Sequence, residues 1–386
     1  MFSWAIRRTG LQSSSTNNNV HYLANLATIC FVTTFILQLI ELYFAKENIK
    51  RLFECFSVLS FCGMGLLKLM SLRCKYRHWQ YIFNQVQMLE NKQISRNIIG
   101  DNEFDLIYYI RSYTTKYSTM STILIRLYGS TLIIHILSPI VEYIYIKVKG
   151  CESVYPHILP GWAPFDGNIF GYIATVAIEI ASSIYCVCVH VAFDLSSVGL
   201  MIFLCGQYRL IRDYSENIGK NGNDCCITKE NDENALLSIR YCHQTHNILI
   251  NIIGDLSKLL KDILGIYFFV ATLTLCSVAV RLNMETLSLT QLISLLQYLS
   301  ATVTQLFLFC LYGNAVLNES SVGMGEGPNG AAYWCLSPRV RRELTTLAVG
   351  MSRPHHLSAG PFHALNLPSF IQIVRTAYSY YAVIRK

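Results

Sequence analysis

Charge is scarce in this chain. Only 14% of its 386 residues are Asp, Glu, Lys or Arg, against roughly 25% in soluble domains, while 52% are hydrophobic. Too few charges are present to coat a water-soluble fold of this size, and lipid is the solvent the composition suits. Chemistry-bearing patterns are missing as well. There is no Gly-x-Ser-x-Gly, no His-Glu-x-x-His, no phosphate-cradling glycine loop and no pair of carboxylates deep in an apolar run. An enzyme is therefore not expected, and neither a cofactor nor a nucleic-acid partner is called for. The 14 cysteines follow neither a Cys-x-x-Cys pattern nor a Cys/His zinc spacing, so no metal site is expected. Seven of them fall in apolar runs, where a thiol packs as a small hydrophobe, and most of the others in long polar segments. The adjacent pair Cys225 and Cys226 and the isolated Cys151 lie outside such runs. The first twenty residues are polar after Arg7 and lack the apolar core of a cleavable signal.

What the chain does have is apolar runs of bilayer length, about 20 residues each. They fall at 20–44, 52–72, 119–146, 168–190, 262–281, 287–312 and 366–384, the last being the least hydrophobic. The expectation is an all-α, seven-transmembrane membrane protein forming one domain over 1–386. With the N-terminus in the cytoplasm, 20 of the 31 Lys and Arg residues fall on the inner side, where such residues are favoured. Lys68 and Arg126 sit in apolar runs near the inner end, close enough to snorkel out. The inner connections are long and carry apolar residues at helical spacing, as in "CKYRHWQYIFNQVQMLE" and "LLSIRYCHQTHNILINIIGDLSKLLKDIL". Helical extensions of the membrane helices into a cytoplasmic anchor are expected there. "VGMGEGPNG" at 322–330 reads as a flexible surface loop, and His355-His356 lacks a third metal ligand.

Two polar residues fall at membrane depth. Glu179 is placed mid-span, where an ionised carboxylate is costly; it is either functional or hydrogen-bonded inside the bundle. His135 is either a satisfied structural histidine or a ligand contact. The last run, 366–384, is long enough to cross at about 1.5 Å per residue, and Asn366 with Pro368 supplies a helix start. Gln372, Thr376, Ser379 and Val383 recur at helical spacing as one stripe, suited to water. Phe370, Val374, Ala377, Tyr381 and Ile384 form a second, apolar stripe suited to packing. One such helix makes no pore, but several around a symmetry axis do.

The terminal "PSFIQIVRTAYSYYAVIRK" resembles the C-terminal signature of insect odorant receptors. "YPHILPGWAPFD" (155–166) resembles that family's Pro/aromatic outer loop, "LYGNAVLNES" (311–320) the stretch after its sixth helix, and "YWCLSPRVRREL" with "SRPHHLSAGPF" its link into the last helix. The glycine-rich 322–332 departs from the family's more acidic segment. The resemblance implies an inverted seven-helix topology and a subunit of a heteromeric, ligand-gated, non-selective cation channel. Such a channel is a tetramer formed with the obligate odorant co-receptor in the plasma membrane of a sensory dendrite, in contact with lipid and opened by a small volatile ligand. It also implies that Gln372, Thr376, Ser379 and Val383 line the pore, with Val383 at the hydrophobic constriction. By depth, Phe61, His135, Ser138, Tyr172, Val176, Leu295 and Tyr298 are the candidate odorant contacts. An insect gustatory receptor shares the fold, but its Thr-Tyr…Gln-Phe ending is absent here. A G-protein-coupled receptor normally carries Asp-Arg-Tyr and Asn-Pro-x-x-Tyr; this chain has Arg212-Asp213-Tyr214 after the fourth span and no Asn-Pro.

Overall fold

In the computed structural model, residues 18–99, 106–148, 156–162, 168–220, 227–284, 289–321, 323–361 and 363–384 are described. Nearly all of them are helical. The long helices are α1 (Asn18–Phe44), α2 (Ile49–Cys74), α3 (Tyr76–Ile99), α4 (Leu106–Val148), α5 (Ile169–Glu216), α6 (Lys229–Met284) and α7 (Leu289–Ser321). After them come a single turn, α8 (Glu326–Asn329), then α9 (Pro338–Met351) and α10 (Leu367–Ile384), with a two-stranded ribbon, Ser358–Ala359 against His363–Ala364, leading into the last. Six of these, α1, α2, α4, α5, α6 and α7, are long and apolar enough to cross a membrane. In helices every backbone group is satisfied within the segment, which is what a bilayer core requires.

Three of the expected spans belong to much longer helices. The run 119–146 is part of the 43-residue α4, 168–190 opens the 48-residue α5, and 262–281 closes the 56-residue α6. The extra length of these helices, together with α3 and α9, forms the helical anchor at the far end of the bundle. At its centre stands α5, which packs against α1, α2, α4, α6, α7 and α8. Its stretch from Ala192 to Leu204 is buried on every face, because neighbours surround it. Eight of the eleven described cysteines are buried, and all eleven are unbridged, in keeping with a packing role; Cys151, Cys225 and Cys226 lie outside the described residues.

Two sequence expectations are corrected. The glycine-rich segment is not a loose surface loop. Gly327 and Pro328 are buried, and a Cβ on Gly327 would collide with the Ser215 hydroxyl and the Arg212 carbonyl. Gly327 is there because this turn lies directly on the backbone of α5. Lys68 does not snorkel: it is fully buried, in an ion pair described below. Arg126, by contrast, is exposed.

The start of α10 is as expected. The Asn366 side chain accepts the Ser369 N–H at 3.0 Å, capping the first turn. The helix packs on α6 and α7 through Ser369, Ile373 and Ala377, with Phe370 edge-on to Phe307 at 5.5 Å. The seam therefore differs from the expected apolar stripe: Ile373 belongs to it, Val374 is exposed, and the Ile384 side chain lies outside the described residues.

Backbone approach is closest where α7 meets the entry to α10, since a Cβ on Gly313 would overlap the Leu365 carbonyl. Gly313→Ala is expected to cost about 1–3 kcal/mol through this overlap. Gly254→Ala, with open space around its Cβ, should be neutral or stabilising by up to about 1 kcal/mol. Thermal unfolding of the purified protein in detergent compares the two, and equal behaviour of both variants would contradict the packing described.

Candidate functional site

Opposite the anchor, α2, α4, α5 and α7 separate around a cavity of about 640 Å³, roofed by the segment 156–160. That volume lies within the ≈ 300–1,000 Å³ typical of small-molecule sites. Phe61, His135, Ser138, Leu295 and Tyr298 all line it, brought together from three helices. Tyr172 and Val176 do not line it. Tyr172 stands behind the roof instead: its hydroxyl donates to the Pro156 carbonyl at 2.9 Å and its ring meets His157 edge-on.

The roof is held by Glu179. Its Oε2 accepts the backbone N–H groups of Ile158 and Leu159 at 2.9 and 3.4 Å, and its Oε1 lies 3.1 Å from His157 Nδ1. A carboxylate taking several hydrogen bonds is satisfied at depth. Hydrogen bonding therefore accounts for this intramembrane acid, and its partners come from the loop rather than from another helix. Trp162 N–H reaches the Leu37 carbonyl at 3.3 Å and ties the same loop to α1.

Sequence reasoning missed the floor. Lys68 of α2 and Asp194 of α5 form an ion pair at 2.6 Å with both side chains shielded from solvent. Around it, Tyr128 donates to Asp194 Oδ2 at 2.5 Å, Gln305 Nε2 donates to the same oxygen at 2.9 Å, and Lys68 Nζ lies 3.0 Å from His190 Nδ1. Phe61 stacks on His190 with centroids 4.2 Å apart. Tyr128, Gln305 and Phe61 line the cavity, so its floor is fastened directly to a buried charge pair. Half of a signal was available: Lys68 stands in the apolar run 52–72, where a cation is tolerated at depth when it meets an opposite charge, but Asp194 lies four residues past the run 168–190.

Away from the cavity, α10 presents Gln372, Ser379 and Val383 outward, with Thr376 half-buried. Thr376 and Ser379 donate their hydroxyl hydrogens to the carbonyls of Gln372 and Arg375, at 2.8 and 3.0 Å. Val383 and Tyr380 also edge an apolar groove shared with α1, α2 and α6. At the anchor end, His355 lies 6.1 Å from His246, centroid to centroid. Burial, with His355 and His243 adding to it, pushes His246 down to about 4, so its ring is neutral at physiological pH. Among the described residues no three His, Cys, Asp or Glu side chains converge as metal ligands.

Because an uncompensated buried charge is costly, Lys68→Met alone is expected to destabilise the protein by about 3–5 kcal/mol. The double variant Lys68→Met with Asp194→Leu should recover most of that loss. Melting midpoints in detergent read the cycle; a double variant no better than the worse single one would refute the pairing.

Comparison with known proteins agrees with this architecture. The olfactory receptor OR5 of Machilis hrabei in complex with eugenol superposes with a TM-score of 0.73 over 99% of this chain and 97% of its own, at 16% identity. Odorant receptor Or2 of Anopheles gambiae is 21% identical over 248 residues, 62% of this chain and 65% of the relative. The odorant receptor coreceptor of Aedes albopictus is 22% identical over 179 residues, 45% of this chain and 36% of the relative. The chain thus spans less than two thirds of the length of either sequence relative. The family model described as 7tm odorant receptor matches residues 48–378. The chain belongs to the 7tm odorant receptor family.

Proposed function

We propose that this chain is the odorant-binding subunit of a heteromeric, ligand-gated cation channel, assembled with an odorant co-receptor in a sensory plasma membrane. The observation that carries the reading is the partly open cavity between α2, α4, α5 and α7, in a member of the odorant receptor family. A volatile molecule there contacts Phe61, His135, Ser138, Leu295 and Tyr298. The eugenol complex of the similarly folded OR5 supports a small organic ligand, and the similarity to a coreceptor supports a common mode of assembly.

Residues 1–386 form one domain of seven spans, with the N-terminus in the cytoplasm and α10 as the seventh span. The Lys and Arg bias supports this orientation. The last helix lines a pore shared by four subunits. Hydroxyls whose hydrogens are spent on carbonyls turn lone pairs outward, and Thr376 and Ser379 therefore offer acceptors, which suit a cation. Val383, 72% exposed on a single chain, supplies the hydrophobic constriction.

Co-expression with a co-receptor in oocytes should give odour-evoked cation currents, whereas the chain alone gives little or none. Robust currents from the chain alone would sink the obligate assembly. Single cysteines at Gln372, Ser379 and Val383 should react with a small charged thiol reagent during odour application, because water-accessible thiols ionise and react. A cysteine at Ala377, buried against α6 and α7, should stay unlabelled. Equal labelling of both sets would remove the pore assignment.

A further inference from the structure

Taking the cavity as the binding site proposed above, its wall shows which chemistry it prefers. Most hydroxyls facing it are spent. Those of Ser57, Thr131 and Thr302 donate to the carbonyls four residues back, at 2.8, 2.7 and 3.0 Å. Tyr128 is held by Asp194, and Tyr298 donates to the Ser57 carbonyl at 3.0 Å. The Ser183 and Ser294 hydroxyls have no hydrogen-bond partner, but neighbouring atoms cover them and keep them from the open space.

One wall differs. His135 and Ser138 line the cavity one turn apart on α4, and among the described residues neither side chain has a hydrogen-bond partner. Next to them Pro139, also on the wall and inside the helix, has no N–H. The His135 carbonyl consequently lacks the donor that residue i+4 normally supplies. An imidazole and a hydroxyl without partners thus share one stretch of α4 with a carbonyl short of its helical donor, and Glu142 lines the cavity one turn further along. Around the rest of the cavity, Arg51 and Arg281 offset Glu54 and Glu142, so the formal charges on the wall cancel.

We infer that the cavity selects a neutral, hydroxyl-bearing molecule, an alcohol or phenol with an apolar body. Its oxygen accepts from His135 or Ser138, and its hydrogen is donated to the unsatisfied acceptor beside Pro139. A carbonyl compound satisfies only the donor half, because it has no hydrogen to give. A hydrocarbon satisfies neither and leaves the polar groups desolvated, which costs binding. The apolar body lies against Phe61, Leu295 and Tyr298.

The test uses an alcohol, the matching ketone and the matching alkane of one carbon skeleton, on the chain co-expressed with a co-receptor. Half-maximal concentrations should rise in that order. Ser138→Ala and His135→Phe should each raise the value for the alcohol about tenfold and leave the alkane unchanged. His135→Gln and Ser138→Thr, which keep hydrogen-bonding groups, should retain most of the alcohol response. The same three compounds are added to the purified native and variant chains in detergent, and the shift in melting midpoint is recorded. Alcohol-selective stabilisation without current would support the ligand preference and overturn the channel reading. An alkane as effective as the alcohol, variants that weaken all three compounds alike, or no selective stabilisation would overturn the preference itself.

Discussion

The Lys68–Asp194 pair constrains more of this structure than any other single contact. Burying two charges is expensive, and the cost is offset only where the geometry is good and the remaining lone pairs and protons are occupied. Here they are occupied from four directions. Lys68 comes from α2, Asp194 and His190 from α5, Tyr128 from α4 and Gln305 from α7. No one of these helices can slide or rotate appreciably without leaving a charge or a polar group unpaired. Apolar packing between helices in lipid lacks that specificity, since lipid tails compete for the same contacts. The pair therefore sets the relative registration of the four helices around it, and the cavity exists because the same helices diverge beyond it.

The other end of the cavity is organised by a second buried acid with a different task. Glu179 binds backbone rather than a cation, so it fixes the shape of a loop and not the register of a helix. The two sites act on the same helix, α5, separated by fifteen residues or roughly 22 Å of rise. One carboxylate holds the floor and the other holds the roof. Ile158 and Leu159 pack inward because their N–H groups have somewhere to go, which lets an irregular segment close an apolar space.

Much of the fold could be read from the sequence because apolar length and periodicity report directly on lipid exposure. The long helices α2 and α7 and the start of α10 at Asn366 followed from those signals. Position along a helix also reports depth, which is why Phe61, His135, Ser138, Leu295 and Tyr298 converge on one cavity. Depth does not report rotation, and Tyr172 and Val176 point elsewhere for that reason. The same blindness hid the ion pair. Asp194 lies beyond the apolar run 168–190 and so looked solvated, yet the continuation of α5 is enclosed by its neighbours. Composition misled at Gly327 as well, because glycine marks close backbone approach as readily as freedom, and only the neighbour distinguishes the two.

Helix α7 connects the cavity to the last helix by covalent geometry alone. Gln305 and Phe307 are two residues apart, so they differ by about 200° around the axis and about 3 Å along it. Gln305 faces the buried aspartate and the cavity floor, while Phe307 faces Phe370 of α10. Two turns further on, Gly313 lies against the Leu365 carbonyl at the entry to α10. A displacement of the floor large enough to shift Gln305 must be taken up either by bending α7 or by moving its contacts with α10. Bending is resisted by the helix hydrogen bonds, whereas the α7–α10 seam is held by a few side chains, among them Phe307 and Phe370. The seam is the softer element, and strain entering at the cavity floor is relieved there first.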